Sequence, residues 1–169
     1  TKYKDGGNKT AAAPVLRYAE VALNMAEAYA RNNDVANGLA RLNSVRNRSL
    51  ADPTTQAFTA TSFSSNITLL GAILKERRIE FLMEGRRWAD IHRLQNDANF
   101  PIAGVPAKAA NGGFSSASTA LAAYALGTPY SGALGVNAIP YDNFKFLWPI
   151  PQLELDSNPT LREQQNPGY

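Results

Sequence analysis

The stretch ILKERRIEFLMEGRRWADIHRL, Ile73–Leu94, decides how the rest of the chain is read. Between Lys75 and Arg93 it carries six basic and four acidic residues, in a chain that is only 18% charged. On a helical wheel stepped at about 100° per residue, Leu69, Leu70, Ile73, Leu74 and Phe81 occupy a sector of about 140°. Glu76, Glu80, Glu84 and Arg77 fall inside that sector or within about 20° of its edge. An amphipathic helix normally keeps its charges away from the apolar stripe. Glutamates spaced i, i+4, i+8 also repel one another, by roughly 0.2–0.5 kcal/mol per exposed pair. Burial makes that far worse unless each carboxylate meets cations and donors. The pattern therefore predicts a buried, arginine-rich structural network; a solvated charged face is the competing reading. Gly85 allows a bend or a left-handed residue, so a separate short helix is expected over Arg86–Leu94.

Length and composition narrow the field. A chain of 169 residues is one domain, or a compact part of one, able to bury about 70% of its unfolded surface. It has no apolar run of the length that spans a bilayer. A net charge of +3 is mild, and the basic residues are interleaved with acids, a poor footprint for nucleic acid. With no cysteine and a single histidine, His92, disulfides, thiolate catalysis, cysteine zinc sites and zincin motifs are excluded. No metal or other cofactor is expected.

Upstream of the central stretch, Pro14 suits a first helical turn, and Val15–Arg31 is expected to be helical. Leu16, Ala19, Leu23, Ala26 and Ala30 give it a small apolar face. Arg17, Glu20, Asn24, Glu27 and Arg31 form a polar seam that either faces water or meets the charged central helix. Asn32-Asn33-Asp34 ends this helix and caps a second one over Val35–Arg48, with Leu39, Leu42 and Val45 on one face. So short a turn requires antiparallel packing, the look of a tetratricopeptide-like unit, although no second copy follows at a fixed period. Ala51–Ser65 is a polar connection, and Asn66 is the expected cap of the central helix. Ala98–Tyr141 is rich in Gly and Pro with Lys108 its only charge. It reads as an ordered long loop, because Phe114, Tyr124 and Tyr130 need packing, with a short helix over Ala117–Leu126. Pro149 and Pro151 prevent a continuous helix near the end, leaving one turn at Gln152–Asp156. The fold class is therefore mainly α: a tetratricopeptide-like helical hairpin plus further helices, long irregular loops and an ordered C-terminal coil. A single domain is expected, with a helical core at about 14–94, a variable loop at about 95–146 and a coil at 147–169.

Three blocks resemble the SusD/RagB-like nutrient-binding lipoproteins of the outer membrane. LRYAEVALNMAEAYAR with LARLNSVRNRS is similar to that family's R-Y-A-[DE]-V…A-E-A and L-N-x-V-R-x-R. The central stretch is similar to its I-x-x-E-R-R-x-E-[LF]-x-x-E-G-x-R-[WF]-x-D-[IL]-x-R. FLWPIPQLELDSNPTLREQQNPGY is similar to its closing P-I-P-x-x-E…N-P-x-L-x-Q-N-P-G-Y. The resemblance covers the C-terminal portion of the family's usual chain, so the N-terminal portion of the same protein, with its lipid anchor, is an expected partner. It implies a mostly helical fold with tetratricopeptide-like hairpins. It also implies a place at the extracellular face of the outer membrane, as the lid of a TonB-dependent, SusC-like transporter. There the family captures oligosaccharides, or in some cases peptides, for import.

The residues inside these motifs read as framework. Arg17, Glu20, Glu27, Arg46, Glu76, Arg77, Glu80, Glu84, Arg87, Asp90 and Arg93 are assigned to the structural charge network. A glycosidase pair among the glutamates needs one carboxyl with a raised pKa, whereas surrounding arginines lower it, so no enzyme is expected. Sugar binding uses aromatic platforms beside amides and carboxylates. Tyr124, Tyr130, Tyr141, Asp142, Asn143 and Trp148 are the ligand candidates, with Trp88, Phe144, Asn111 and Asn137 as further possibilities; each also reads as a packing residue. The functional expectation is non-enzymatic capture of an oligosaccharide, and the alternative is a helical-repeat scaffold that binds a protein or peptide and no sugar.

Overall fold

The computed structural model describes residues 7–8, 10–110, 116–125 and 128–169; Asn111, Phe114 and Leu126 lie outside them. The fold is mainly α-helical, with paired helices and, among the described residues, only short two-stranded ladders. The chain divides into two compact units, Thr1–Asp90 with Ala98–Phe100, and Ile91–Asp97 with Pro101–Tyr169.

In the first unit α1 (Tyr18–Arg31) and α2 (Val35–Arg46) form the helical hairpin. Asp34 caps α2, its Oδ1 accepting from the Asn37 amide at 3.1 Å. A short α3 (Pro53–Gln56) leads towards α4 (Asn66–Glu80), which packs on both α1 and α2. Leu23, Leu42, Leu69 and Ile73 are fully buried where the three helices meet. Each such side chain contributes about 1.5–3 kcal/mol by leaving water. Gly38 permits the approach, since a Cβ there would lie 3.1 Å from Leu69 Cδ2 and 3.3 Å from the Ala26 carbonyl.

The start of the first helix and the cap of α4 differ from the sequence reading, and α2 ends at Arg46, where a 3-10 turn over Asn47–Ser49 takes over. The first helix begins at Tyr18, leaving Leu16 68% exposed rather than on the packed face. Arg17 is extended at φ −144° and ψ 156°, and Arg86 donates to the Val15 carbonyl, so tertiary bonds hold this segment out of helical geometry. The cap of α4 is Ser65, which forms a capping box with Thr68. Asn66, the expected cap, instead donates to the Ala30 carbonyl at the end of α1, at 3.2 Å. After α4 the chain turns through Phe81, buried at the C-cap, and through Gly85 at φ +77°. α5 (Arg86–Arg93) then begins.

The second unit holds most of the segment expected as long loop and coil. β1 (Gly104–Val105) pairs antiparallel with β4 (Ile139–Pro140), and β2 (Lys108–Ala109) pairs with β3 (Leu134–Val136). α6 (Ala117–Ala123) is capped by Ser116, and α7 (Gln152–Ser157) follows Pro151. Pro149 and Pro151 have no amide to donate, and the backbone around them is held by side chains from the C-terminus. Gln165 accepts from the Ile150 amide at 2.8 Å and donates to the Ile150 carbonyl at 3.2 Å. Asn166 donates to the Trp148 carbonyl and Tyr169 to the Leu147 carbonyl, at 2.5 and 3.0 Å. The closing Q-N-P-G-Y thus substitutes for the strand that a proline-rich segment lacks.

Candidate functional site

The charged residues of the first unit form a cross-braced set. Arg17 Nε and Nη2 donate to the Glu84 carboxylate at 2.7 and 3.0 Å, and Nη1 lies 2.5 Å from Glu80 Oε1. Arg48 closes on the same Glu80 carboxylate. Arg46 reaches Glu76 at 3.3 Å and stacks over Phe58, 4.4 Å from the ring centroid. Arg77 forks onto Asp90, Nε to Oδ2 at 3.3 Å and Nη2 to Oδ1 at 3.1 Å, and its Nη1 donates to Asn24 at 2.6 Å. Both side chains of that fork are only 6% exposed. Glu20 lies 2.8 Å from Arg86, and buried Glu27 lies 2.9 Å from Arg31. Arg17 and Arg77 both stand over Phe81, 5.1 and 5.4 Å from its centroid. Arg87 is half-buried and Arg93 is exposed.

The electrostatics make Glu80 a poor general acid. Burial pushes Glu80 up, but hydrogen bonds from Arg48 and Arg17 outweigh it, and the group ends below the ordinary carboxylate value. The hydrogen bond to Glu84 holds Arg17 above its usual value against the opposing effect of burial. Burial lowers Arg87, with Arg78 adding to that and Asp90 opposing it. A general acid needs its pKa raised, and Glu80 is moved the other way.

Glu80 ends α4, at the far end of the helix from Leu69. It shares an angular position with Leu69, but eleven residues of helix set the two about 16 Å apart. Its neighbours are Arg17 and Arg48. Arg46 serves Glu76. Sequence reasoning left out Arg48 and Arg86; the one signal for Arg48 was its place beside Arg46 in the quoted L-N-x-V-R-x-R block.

The second unit contains a cavity of about 410 Å³. One wall is a packed trio of rings: His92 lies 5.6 Å from Tyr141 and 5.5 Å from Phe146, both edge-on, and Tyr141 lies 4.4 Å from Phe146. Phe144, Leu147 and Pro167 extend the apolar lining, while Gln95, Asp142 and Asn143 supply its polar groups. Tyr141 and Asp142 stand at the tip of a turn closed by the Asn143 amide on the Pro140 carbonyl at 3.0 Å. The Tyr141 hydroxyl donates to the Ile91 carbonyl, and burial raises its pKa. Asn143 Oδ1 caps the following 3-10 turn, accepting from the Lys145 amide at 3.0 Å.

Of the ligand candidates, Tyr141, Asp142 and Asn143 line this cavity, as does Phe144. Tyr124 and Tyr130 stack on each other 5.2 Å apart, away from its lining. Trp148 is 80% exposed outside it, Trp88 belongs to α5, and Asn137 is exposed in the turn between β3 and β4. His92, Gln95 and Phe146 were not among the binding candidates. No local spacing marks them, because 92–95, 141–147 and 167 converge only through loop closure.

The first unit is thus a helical hairpin with α4 packed on it, braced by arginine–carboxylate pairs, and the second unit carries a ring-walled cavity. The SusD family model matches residues 1–169, and the chain belongs to the SusD family. That membership supports a general nutrient-binding role at the outer membrane. No curated protein and no solved structure matches the chain. Among the described residues no cluster of His, Cys, Asp or Glu is able to hold a metal ion, and no helix is long and apolar enough to cross a membrane.

Proposed function

We propose that this protein captures an oligosaccharide at the extracellular face of the outer membrane and passes it, chemically unchanged, to a TonB-dependent SusC-like transporter. The observation that carries this reading is the family match along the whole of residues 1–169. The cavity walled by Tyr141, Phe144 and Phe146 supports it, since apolar rings beside a few polar groups suit the faces and hydroxyls of a sugar. The arginine–carboxylate set then keeps the helices in register and takes no part in binding. Native affinity electrophoresis through gels containing starch, xylan, galactan, β-glucan, alginate or polygalacturonate is the test. Retardation by at least one polymer is expected. Free migration through all of them, together with tight binding of peptides, would replace this reading with that of a peptide-binding scaffold.

A further inference from the structure

We infer that the cavity seats a neutral sugar ring and disfavours a uronate, with Asp142 setting that preference. This rests on the oligosaccharide reading above and narrows it.

The shape comes first. A volume of about 410 Å³ falls within the range of small-molecule sites, roughly 300–1,000 Å³. The His92–Tyr141–Phe146 trio is fixed by its own ring contacts, and Tyr141 is further tied to the Ile91 carbonyl. The wall is therefore in place before a ligand arrives, and little ordering opposes binding.

The polar groups decide the ligand. Tyr141 has its hydroxyl engaged by Ile91, and Asn143 has its carbonyl engaged by Lys145. Among the described residues, the Asp142 carboxylate and the Gln95 amide make no side-chain hydrogen bond, and both line the cavity. A carboxylate accepts from two neighbouring hydroxyls at once, and an amide both donates and accepts. That pair suits a vicinal diol.

Charge supplies the selectivity. Among the described residues no arginine or lysine lines the cavity; the Lys145 ammonium stands over Phe144, 6.0 Å from its centroid, outside the lining. A sugar carboxylate entering beside Asp142 meets a like charge with no guanidinium to offset it. Even with the screening of an exposed site, a like charge at about 4 Å weakens binding about fivefold.

The experiment uses whichever neutral polymer retards the full chain in the gels above, alongside the same polymer oxidised at its primary hydroxyls to the uronate. The wild type is expected to bind the neutral form at least about fivefold more tightly. Asp142→Asn should weaken retention and narrow that gap, and Asp142→Lys should invert it. Gln95→Ala should weaken retention of both forms alike. Asp142 is exposed in a turn, so these variants keep the fold, which circular dichroism melts check. Preferential retention of the uronate, or an unchanged gap in both Asp142 variants, sinks this inference and leaves glycan capture standing. Free migration of the wild type through every polymer removes both.

Discussion

Arg77 and Asp90 form the ion pair with the least water to fall back on. Their fork is almost wholly enclosed, whereas Glu80 shares its two guanidiniums with solvent, because Arg48 is half-exposed. Removing one member of an enclosed pair strands the other, a loss of about 3–5 kcal/mol, so Asp90→Asn is expected to lower stability by that much. Glu80→Gln keeps partly hydrated partners and should lose about 1–3 kcal/mol. Lys75→Gln, on the exposed face, should lose less than about 0.5 kcal/mol. Urea midpoints of the three variants rank them; equal midpoints for Asp90→Asn and Lys75→Gln would falsify the bracing role. The pH dependence has a definite sign. Glu80 is lowered by folding, so its contribution is full above the unfolded carboxylate value of about 4.3 and is lost as pH falls through its folded value. Glu80→Gln should therefore flatten the stability curve on the acid side of about pH 5, measured by urea melts at stepped pH.

The helices were the most legible elements, and the reason is periodicity. Ala19, Leu23, Ala26 and Ala30 repeat at helical spacing, and Asp34 caps α2 where a break and a new apolar face meet. Gly85 at φ +77° likewise separates α4 from α5 within the central stretch. Periodicity reports only local geometry, however. It extended the first helix through Leu16, because nothing nearby reveals that Arg86 holds the Val15 carbonyl. It also saw no strand in the Gly- and Pro-rich segment, where Lys108 pairs with Val136 across a long excursion. The cavity was half legible for the same reason: Tyr141, Asp142 and Asn143 stand together in sequence, while His92, Gln95 and Pro167 join them by folding. Two element-level outcomes follow from close approaches and from the closing segment. Gly38→Ala presses a methyl between Leu69 and the α1 backbone and should destabilise by about 1–3 kcal/mol, read from a denaturant melt. Gln165→Leu deprives Ile150 of both its partners, so the Ile150 amide should lose its hydrogen-exchange protection. An unchanged exchange rate at Ile150 would mean the C-terminal side chains do not hold that backbone.

At the scale of the whole molecule, the proposed capture asks for bracing charge in the first unit and a ring-walled cavity in the second. Glu76, Glu80, Glu84 and Asp90 are each occupied by a guanidinium, and among the described residues that line the cavity Asp142 has no second carboxylate with which to share acid and base roles. A bound oligosaccharide should then act only through mass action, stabilising the folded chain by about 2.7 kcal/mol at a hundredfold excess over Kd. On the proposed capture role that stabilisation should persist, since the ligand is passed on unchanged. The check is a thermal melt repeated after overnight incubation with the retained polymer's hexasaccharide, followed by mass spectrometry of the sugar. The expected outcome is an upward shift of constant size and a hexasaccharide recovered intact. A shift that fades with incubation while shorter saccharides accumulate would show hydrolysis, and the carboxylates would then have to be reassigned from bracing to chemistry.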